Sequence, residues 1–331
     1  MQNKSLVLPP QDASLAQLSN VVKNLQAYFV PTVIGLGMSG GILASVVYLK
    51  SVIKNTFFAQ FLVAVSISNA GFLSTVILGW LFEHGFDVYA APGLCQMVVF
   101  SSHFFPFLTF WSSILGAYLI LWDTLKPKSL TWIHNASVSK TIVIGVALLS
   151  FTCYSYKSWT NGTRLIMGYS VCTVLPENEN AMEFLNILDV LVLLILPSIL
   201  FVLFDIVLIA SRLYDAIRKI KKKKCRRNQE VLRIALSHSI CYHVLATPRA
   251  ISMMILIVER MSEKRYPDIS DIMFHKIFQF VFYMYFAVLP VLPMFVSTRF
   301  RRGLFGMIGL RKRRSRTKFV RSTSIRQQTV L

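Results

Sequence analysis

Seven long apolar segments alternate with short polar segments along the chain. To within a few residues they span 29–51, 57–82, 93–122, 138–156, 184–212, 230–258 and 271–297. A helix that crosses a bilayer core of about 30 Å needs about 20 mostly apolar residues. The fourth segment is the weakest, because Ser150, Thr152 and Ser155 interrupt it. The pattern predicts an all-α membrane protein, a seven-transmembrane helix bundle.

The polar flanks divide the rest of the chain into further regions. Residues 1–28 are too weakly apolar for a signal peptide and are expected to form an extracellular N-terminal segment ahead of the bundle at 29–297. Residues 298–310 mix arginines with spaced apolar residues, which predicts a short amphipathic eighth helix at the membrane interface. Residues 311–331 are polar and basic and are expected to form a disordered cytoplasmic tail.

The net charge of +20 first suggests a nucleic-acid partner, but the charge is concentrated in two stretches. Arg212–Arg227 holds nine basic residues and one acid, and Arg299–Arg326 holds eleven basic residues and no acid. Cytoplasmic loops of membrane proteins carry such an excess of Lys and Arg. The pattern argues against nucleic acid as a partner. It predicts a multi-pass protein of the plasma membrane with an extracellular N-terminus and a cytoplasmic C-terminus.

Surface motifs suggest further partners and modifications. The basic stretch between the fifth and sixth spans has two interpretations, namely contact with a transducer, or attraction to anionic membrane lipid at about 1 kcal/mol per basic residue. The last residues, with Thr329 and Leu331, fit the pattern that PDZ domains accept as an added strand. Asn3 and Asn161 begin glycosylation sequons on the predicted outer side.

Two of the five cysteines are informative because of the predicted topology. Cys95 lies at the outer start of the third span and Cys172 in the second outer loop, so both face an oxidising compartment. They are expected to form a disulfide that holds this loop across the mouth of the bundle, and two unpaired thiols are the alternative. The cysteines form no metal-binding pattern, and no nucleophile–base pair or phosphate-binding loop is recognised. No metal, cofactor or enzymatic activity is therefore predicted.

The seven spans, the outer N-terminus and the two cysteine positions resemble the rhodopsin-like G-protein-coupled receptors over about residues 29–310. Pro197, Pro248 and Pro290 match positions of the family's kinking prolines, where a missing backbone hydrogen bond lets a helix bend. Trp80 resembles the tryptophan of the family's first outer loop. The resemblance implies a divergent orphan receptor that binds an extracellular ligand in the bundle and acts through a heterotrimeric G protein or arrestin.

The sequence departs from the family where the family has its switch residues. Leu119–Leu121 stands in place of Asp-Arg-Tyr, and Leu289–Pro293 in place of Asn-Pro-x-x-Tyr. Asn69 replaces an aspartate in the second span, and Ala246 replaces a tryptophan in the sixth. Signalling is therefore predicted to be atypical. A non-signalling decoy, scaffold or trafficking protein is the main alternative, and a transporter is less favoured because no internal repeat is visible.

Ionisable residues inside the spans are candidate functional groups, because a charge at mid-bilayer costs roughly 2.5–3.5 kcal/mol. By the resemblance, Arg249 follows the kinking Pro248 and faces the ligand cavity, with Asp189 in the outer half of the fifth span. The hypothesis is that Arg249 pairs with Asp189 or receives an anionic group of the ligand. A permanent bridge between the two spans is the alternative. The other predicted ligand contacts are Ser102, His103 and Tyr283.

A second group of candidates lies deeper in the bundle. Asp205 in the fifth span is at a depth comparable with His238 and His243 in the sixth. A buried carboxylate beside a histidine can act as a local lock that partly replaces the missing arginine switch, or it can be an ordinary polar contact. These three residues, with Pro248 and Pro290, are the predicted switch residues.

Overall fold

The computed structural model describes residues 10–50, 57–125, 136–166, 168–217, 226–263 and 269–307. Within them, seven helices are long and apolar enough to cross a membrane. These spans are Leu15–Lys50, Phe57–Glu83, Leu94–Leu125, Ser137–Thr160, Ala181–Tyr214, Gln229–Glu259 and Ile269–Val296. All seven predicted spans are confirmed, including the weak fourth. The chain is an all-α seven-helix bundle with the architecture of a multi-pass membrane protein.

Several spans consist of two helical segments. The helices are α1 (Pro10–Asn24), α2 (Val30–Lys50), α3 (Phe57–Glu83), α4 (Leu94–Leu125), α5 (Ala136–Tyr154), α6 (Lys157–Thr160), α7 (Glu179–Val190), α8 (Leu196–Ile217), α9 (Arg226–Leu245), α10 (Thr247–Glu263), α11 (Ile269–Val296) and α12 (Thr298–Met307). Short 3₁₀ turns occupy Val88–Ala90 and Pro176–Asn178. Spans one, four, five and six are therefore α1–α2, α5–α6, α7–α8 and α9–α10.

The first span begins earlier than predicted. Helix α1 starts at Pro10 and continues into α2 through a π-helical turn, Leu25–Phe29. Part of the region assigned to the N-terminal segment is thus helical and packs on the bundle, with Val22 buried. Only one face of α1 contacts the rest of the protein, so its sequence is of mixed polarity. The region therefore lacks the continuous apolar run that would have predicted a helix there.

Helix interruptions coincide with two of the three prolines aligned with the family. Pro197 is the second residue of α8, which follows a second π-helical turn, Leu191–Ile195. Ala246 separates α9 from α10 just before Pro248. A proline has no N–H for the bond to the preceding turn, so each position is a natural bend. Pro290 lies inside α11, and Pro106, to which the sequence argument gave no role, lies inside α4.

The loop between spans four and five folds into a hairpin. Strand β1 (Asn161–Ile166) pairs antiparallel with β2 (Tyr169–Val174), and Thr163 lies opposite Cys172. Gly168 at the turn has φ +85°, a conformation that glycine adopts without strain. Cys172 forms a disulfide with Cys95, which confirms the predicted bond. We call this end of the bundle the hairpin face and the opposite end, at α12, the tail face.

Aromatic and branched side chains fill the bundle in two apolar clusters. In the first, Phe110 packs edge-on against Tyr242 at 5.2 Å between ring centroids, and Phe72 lies 4.1 Å from Phe286. The second cluster lies at the tail face, where α12 buries Phe300 and Leu304. Arg301 and Arg302 remain exposed, which confirms the predicted amphipathic eighth helix.

Candidate functional site

A cavity of about 760 Å³ lies between the spans on the hairpin-face side of the bundle. Residues of the first, second, third, fifth, sixth and seventh spans line it. Its volume is typical of pockets that bind small organic molecules. Seven titratable side chains reach its wall: Glu83, Tyr89, His103, Asp189, Arg249, Lys276 and Tyr283. Four of the five predicted ligand contacts are among them, and the fifth, Ser102, also lines the cavity.

Asp189 is surrounded by donors from the fourth span. The Lys157 Nζ lies 2.6 Å from the Asp189 Oδ2, and the Tyr156 hydroxyl donates to both carboxylate oxygens, at 2.9 and 3.0 Å. Lys157 is only 2% exposed and also donates to the Asn186 Oδ1 at 3.2 Å. The His103 Nε2 is 3.8 Å from the same carboxylate. The negative charge of Asp189 is therefore matched within the protein by the positive charge of Lys157.

Arg249 contacts a histidine rather than an acid. Its Nη1 donates to the Nε2 of His275 and, at 3.3 Å, to the His275 backbone oxygen. Because a guanidinium only donates, this ring nitrogen must accept, and the His275 Nδ1 then donates to the Ser252 Oγ at 2.8 Å. His275 is thereby held neutral. Among the residues that the structure describes, no carboxylate lies within 4 Å of Arg249.

The predicted pairing of Arg249 with Asp189 is wrong for this structure. Both side chains line the same cavity, but each has its own partners on its own side, His275 for Arg249 and the fourth span for Asp189. The physical reason is the fourth span, which continues past Tyr154 and brings Lys157 beside Asp189. The permanent bridge between spans five and six is excluded for the same reason.

The other predicted contacts hold polar positions on the cavity wall. The Ser102 hydroxyl donates to the Val99 backbone oxygen at 2.8 Å, and the His103 Nδ1 bonds to that oxygen at 2.9 Å. Tyr283 accepts a hydrogen bond from the Gln279 Nε2. Phe280 and Phe282 of the seventh span also line the cavity, whereas Tyr285 and Phe286 pack in the core.

A second ionic pair closes part of the rim. The Lys276 Nζ is 3.9 Å from the Glu83 Oε1, and Gln26 of the first span hydrogen-bonds to the same carboxylate. The indole of Trp80 donates to the Gln26 backbone oxygen at 2.9 Å, from inside the last turns of α3 rather than from a loop. Nearby, burial and the charge of Glu83 raise the pKa of Tyr89, which keeps its hydroxyl neutral.

The sequence patterns do not identify several residues of the site. Among these are Tyr156, Lys157 and His275, which contact Asp189 or Arg249, and Glu83 and Lys276, which line the cavity. A usable signal existed for Lys157, because a lysine at the end of an apolar span is costly to bury and needs a partner. No local signal marks His275, whose role depends on the packing of span seven against span six.

The deeper candidates, Asp205, His238 and His243, differ in their contacts. The Asp205 Oδ2 accepts from the Ser239 Oγ at 2.7 Å and lies 3.6 Å from the His243 Nε2, so spans five and six meet here. His238 is buried, and its Nε2 has no hydrogen-bond partner among the described residues. The carboxylate–histidine contact therefore involves His243 and not His238.

Where the family has its charged switch groups, uncharged residues occupy the aligned positions of spans two and three. Asn69 is fully buried and accepts a hydrogen bond from the Thr109 Oγ1 at 2.9 Å. Ile120 and Leu121 are buried in the apolar cluster of the tail face. No group of three or more described His, Cys, Asp or Glu side chains is placed to hold a metal.

Two predicted modification sites have different outcomes. Asn161 is 6% exposed, and its Nδ2 donates to the Lys157 backbone oxygen and the Thr160 Oγ1, both at 3.1 Å. That nitrogen would carry the glycan, so the folded hairpin argues against glycosylation there. Asn3, Thr329 and Leu331 lie outside the described residues, as do residues 218–225 of the basic stretch between spans five and six.

Comparison of the sequence with models of known protein families and with curated proteins finds no match. The resemblance to rhodopsin-like receptors therefore stays a resemblance.

Proposed function

We propose that the protein is a plasma-membrane receptor that binds a small extracellular ligand in the cavity at the hairpin face. The observation that carries this proposal is the cavity itself, which is lined by six spans and by the charged side chains described above. The Cys95–Cys172 disulfide holds the hairpin to the third span at the same end. The charge distribution supports an extracellular hairpin face and a cytoplasmic tail face.

In this proposal, ligand binding is passed to a G protein or arrestin at the tail face by bending of spans five, six and seven. Pro197, Pro248 and Pro290 supply positions where a backbone hydrogen bond is missing. The coupling is atypical, because apolar residues occupy the place of the arginine switch. Anionic lipid and a PDZ-domain protein are further proposed partners of the basic stretches and the C-terminus.

A cavity-filling substitution tests this function without a known ligand. Gly79 lines the cavity, and a Cβ built on it meets no atom within 4 Å, so Gly79→Trp places an indole in the pocket. Gly145→Trp is the matched control, because Gly145 also has open space but lies on an exposed face of α5. In serum-grown cells at equal surface expression, Gly79→Trp should change second-messenger output or arrestin recruitment several-fold. Gly145→Trp should behave as wild type.

The second candidate is a seven-helix protein that binds ligand but does not signal. The observation in its favour is the burial of the apolar Ile120 and Leu121 at the positions that align with the arginine switch of the family. Absence of output in every second-messenger and arrestin assay, with normal surface expression, would favour this candidate over the receptor.

A further inference from the structure

The charges around the cavity do not cancel, and this imbalance indicates the chemistry of the ligand. Asp189 faces Lys157 at 2.6 Å, and Glu83 faces Lys276 at 3.9 Å. Arg249 is left with the neutral His275. Protonation of His103 would add positive charge to the cavity rather than remove it. One positive charge therefore lies uncompensated on the wall formed by spans six and seven.

The guanidinium of Arg249 also has donors to spare. Both of its hydrogen bonds to described residues use Nη1, which leaves Nε and Nη2 without a bond to that part of the chain. Arginine binds carboxylates through two parallel N–H donors, and such charge-assisted bonds are among the strongest in proteins. The bond to the His275 backbone oxygen at 3.3 Å fixes the orientation of the group, so less conformational freedom is lost when an anion binds.

The rest of the wall is mostly hydrocarbon. Phe72, Leu193, Leu194, Met253, Ile257 and Phe282 line it. An inorganic anion would leave these surfaces without a partner in a space of about 760 Å³. A cation would gain little from Asp189, whose charge is already matched by Lys157.

We infer that the ligand is an amphipathic organic anion, with one carboxylate-type group on Arg249 and an apolar body against the aromatic and aliphatic wall. This inference rests on the proposed function and specifies the class of molecule that the cavity takes. The two can fail separately, since a ligand cavity of another chemistry would still serve a receptor.

The test uses three probes that share a ring system and differ in charge. The full-length protein is placed in nanodiscs of phosphatidylcholine, a lipid without net charge that does not compete for Arg249. Binding of 1-naphthylacetate, 2-(1-naphthyl)ethanol and 2-(1-naphthyl)ethylamine is then measured by the shift in thermal unfolding and by direct titration. The acid should bind about tenfold or more tightly than the alcohol, because hydrogen bonds to a charged group exceed neutral ones.

Substitutions test whether Arg249 causes the difference in affinity between the acid and the alcohol. Arg249→Gln should reduce binding of the acid to that of the alcohol, and Arg249→Lys should recover part of the difference. Arg233→Gln is the matched control, since Arg233 is an exposed arginine on the same span. Gly79→Trp should abolish binding of the acid.

Three results would overturn the inference: preference for the amine or the alcohol, retention of acid binding in Arg249→Gln, or no binding of the acid to wild type. In each case the receptor proposal is judged separately by the cellular output of Gly79→Trp.

Discussion

At the scale of single residues, Lys157 and Asp189 form the shortest ion pair of the cavity among the described residues. Lys157 is buried, whereas Asp189 keeps 14% of its side chain exposed and lines the cavity. Removal of one partner from a buried pair leaves the other charge uncompensated, which typically costs about 3–5 kcal/mol. The Tyr156 hydroxyl and the amide of Asn186 satisfy further hydrogen-bonding positions. The pair therefore fixes the end of span four against span five and shapes one wall of the cavity.

Lys157→Met should destabilise the protein by several kcal/mol, because the Asp189 carboxylate loses its cationic partner. The thermal unfolding midpoint of the purified protein should fall accordingly. The double variant Lys157→Met/Asp189→Leu should recover most of the loss, since apolar residues of similar volume can replace a buried pair. Lys140→Met, at an exposed position of the same span, is the control. A midpoint in Lys157→Met equal to that of the control would show that the pair carries no such energy.

Some residues of the site could be predicted and others could not, for a physical reason. Arg249 and Asp189 were identifiable because an ionisable group inside an apolar span is costly to place in the membrane and usually faces the interior of the bundle. Their partners were not, because Lys157 lies beyond the apparent end of a weak span and His275 belongs to another helix. The charge of a side chain can be seen in the sequence, whereas the residue that balances it depends on packing.

At the scale of helices, Glu230 at the start of span six binds residues at the start of α12 and the residue before it. The Glu230 carboxylate accepts from the Thr298 Oγ1 at 2.6 Å and from the Ser297 Oγ at 3.5 Å, and the Arg299 Nε lies at 3.4 Å. Arg299 is partly exposed, so its ion pair adds little and the bond from Thr298 carries most of the effect. In this way α9 is held at the tail face without the missing arginine of span three.

Glu230→Gln should loosen this end of span six, because an amide accepts a weaker hydrogen bond than a carboxylate does. Backbone amides of 229–235 should then exchange with deuterium up to about tenfold faster, which corresponds to about 1.4 kcal/mol of local opening. Thr298→Val should act in the same direction. Arg302→Gln, an exposed arginine on α12, is the control, and unchanged exchange in Glu230→Gln would contradict a fastening role.

The sequence predicted the helices better than it predicted their interruptions. Apolar runs of about 20 residues identify spans almost independently of context. The extension of the first span to Pro10, the π-helical turns and the β-hairpin gave no comparable signal, since each depends on contacts with a neighbouring element. The hairpin, for instance, is held by the disulfide at Cys172 and by the Thr163 hydroxyl on the Tyr89 backbone oxygen.

At the scale of the whole molecule, the cavity and the fastened tail face lie at opposite ends of one aromatic core. Tyr242 sits at its centre, fully buried, with Phe110, Phe201 and Tyr285 around it and its hydroxyl on the Leu194 backbone oxygen at 2.6 Å. It lies one helical turn before Ala246, which stands where the family has a tryptophan. The Tyr242 ring thus occupies the space between the cavity and the tail face, one helical turn away from the position where the family has its tryptophan.

The orientation of the bundle in the membrane follows from charge. The hairpin face carries the acids Glu83, Asp87 and Glu177, while the two strongly basic stretches adjoin the tail face. Because cytoplasmic loops carry an excess of Lys and Arg, the hairpin should be extracellular. The turn of the hairpin offers a direct test, since Gly168→Asn creates the sequon Asn-Tyr-Ser at an exposed position, and asparagine tolerates the positive φ found there.

Gly168→Asn should therefore gain one glycan that an endoglycosidase removes, whereas the native sequon at 135–137 on the tail-face side should stay bare. An epitope tag after Leu331 should be reached by antibody only in permeabilised cells, and a tag before Met1 on intact cells as well. Labelling of the C-terminal tag on intact cells, together with no glycan at the hairpin turn, would reverse the orientation. The cavity would then open to the cytoplasm, and an extracellular ligand would be excluded.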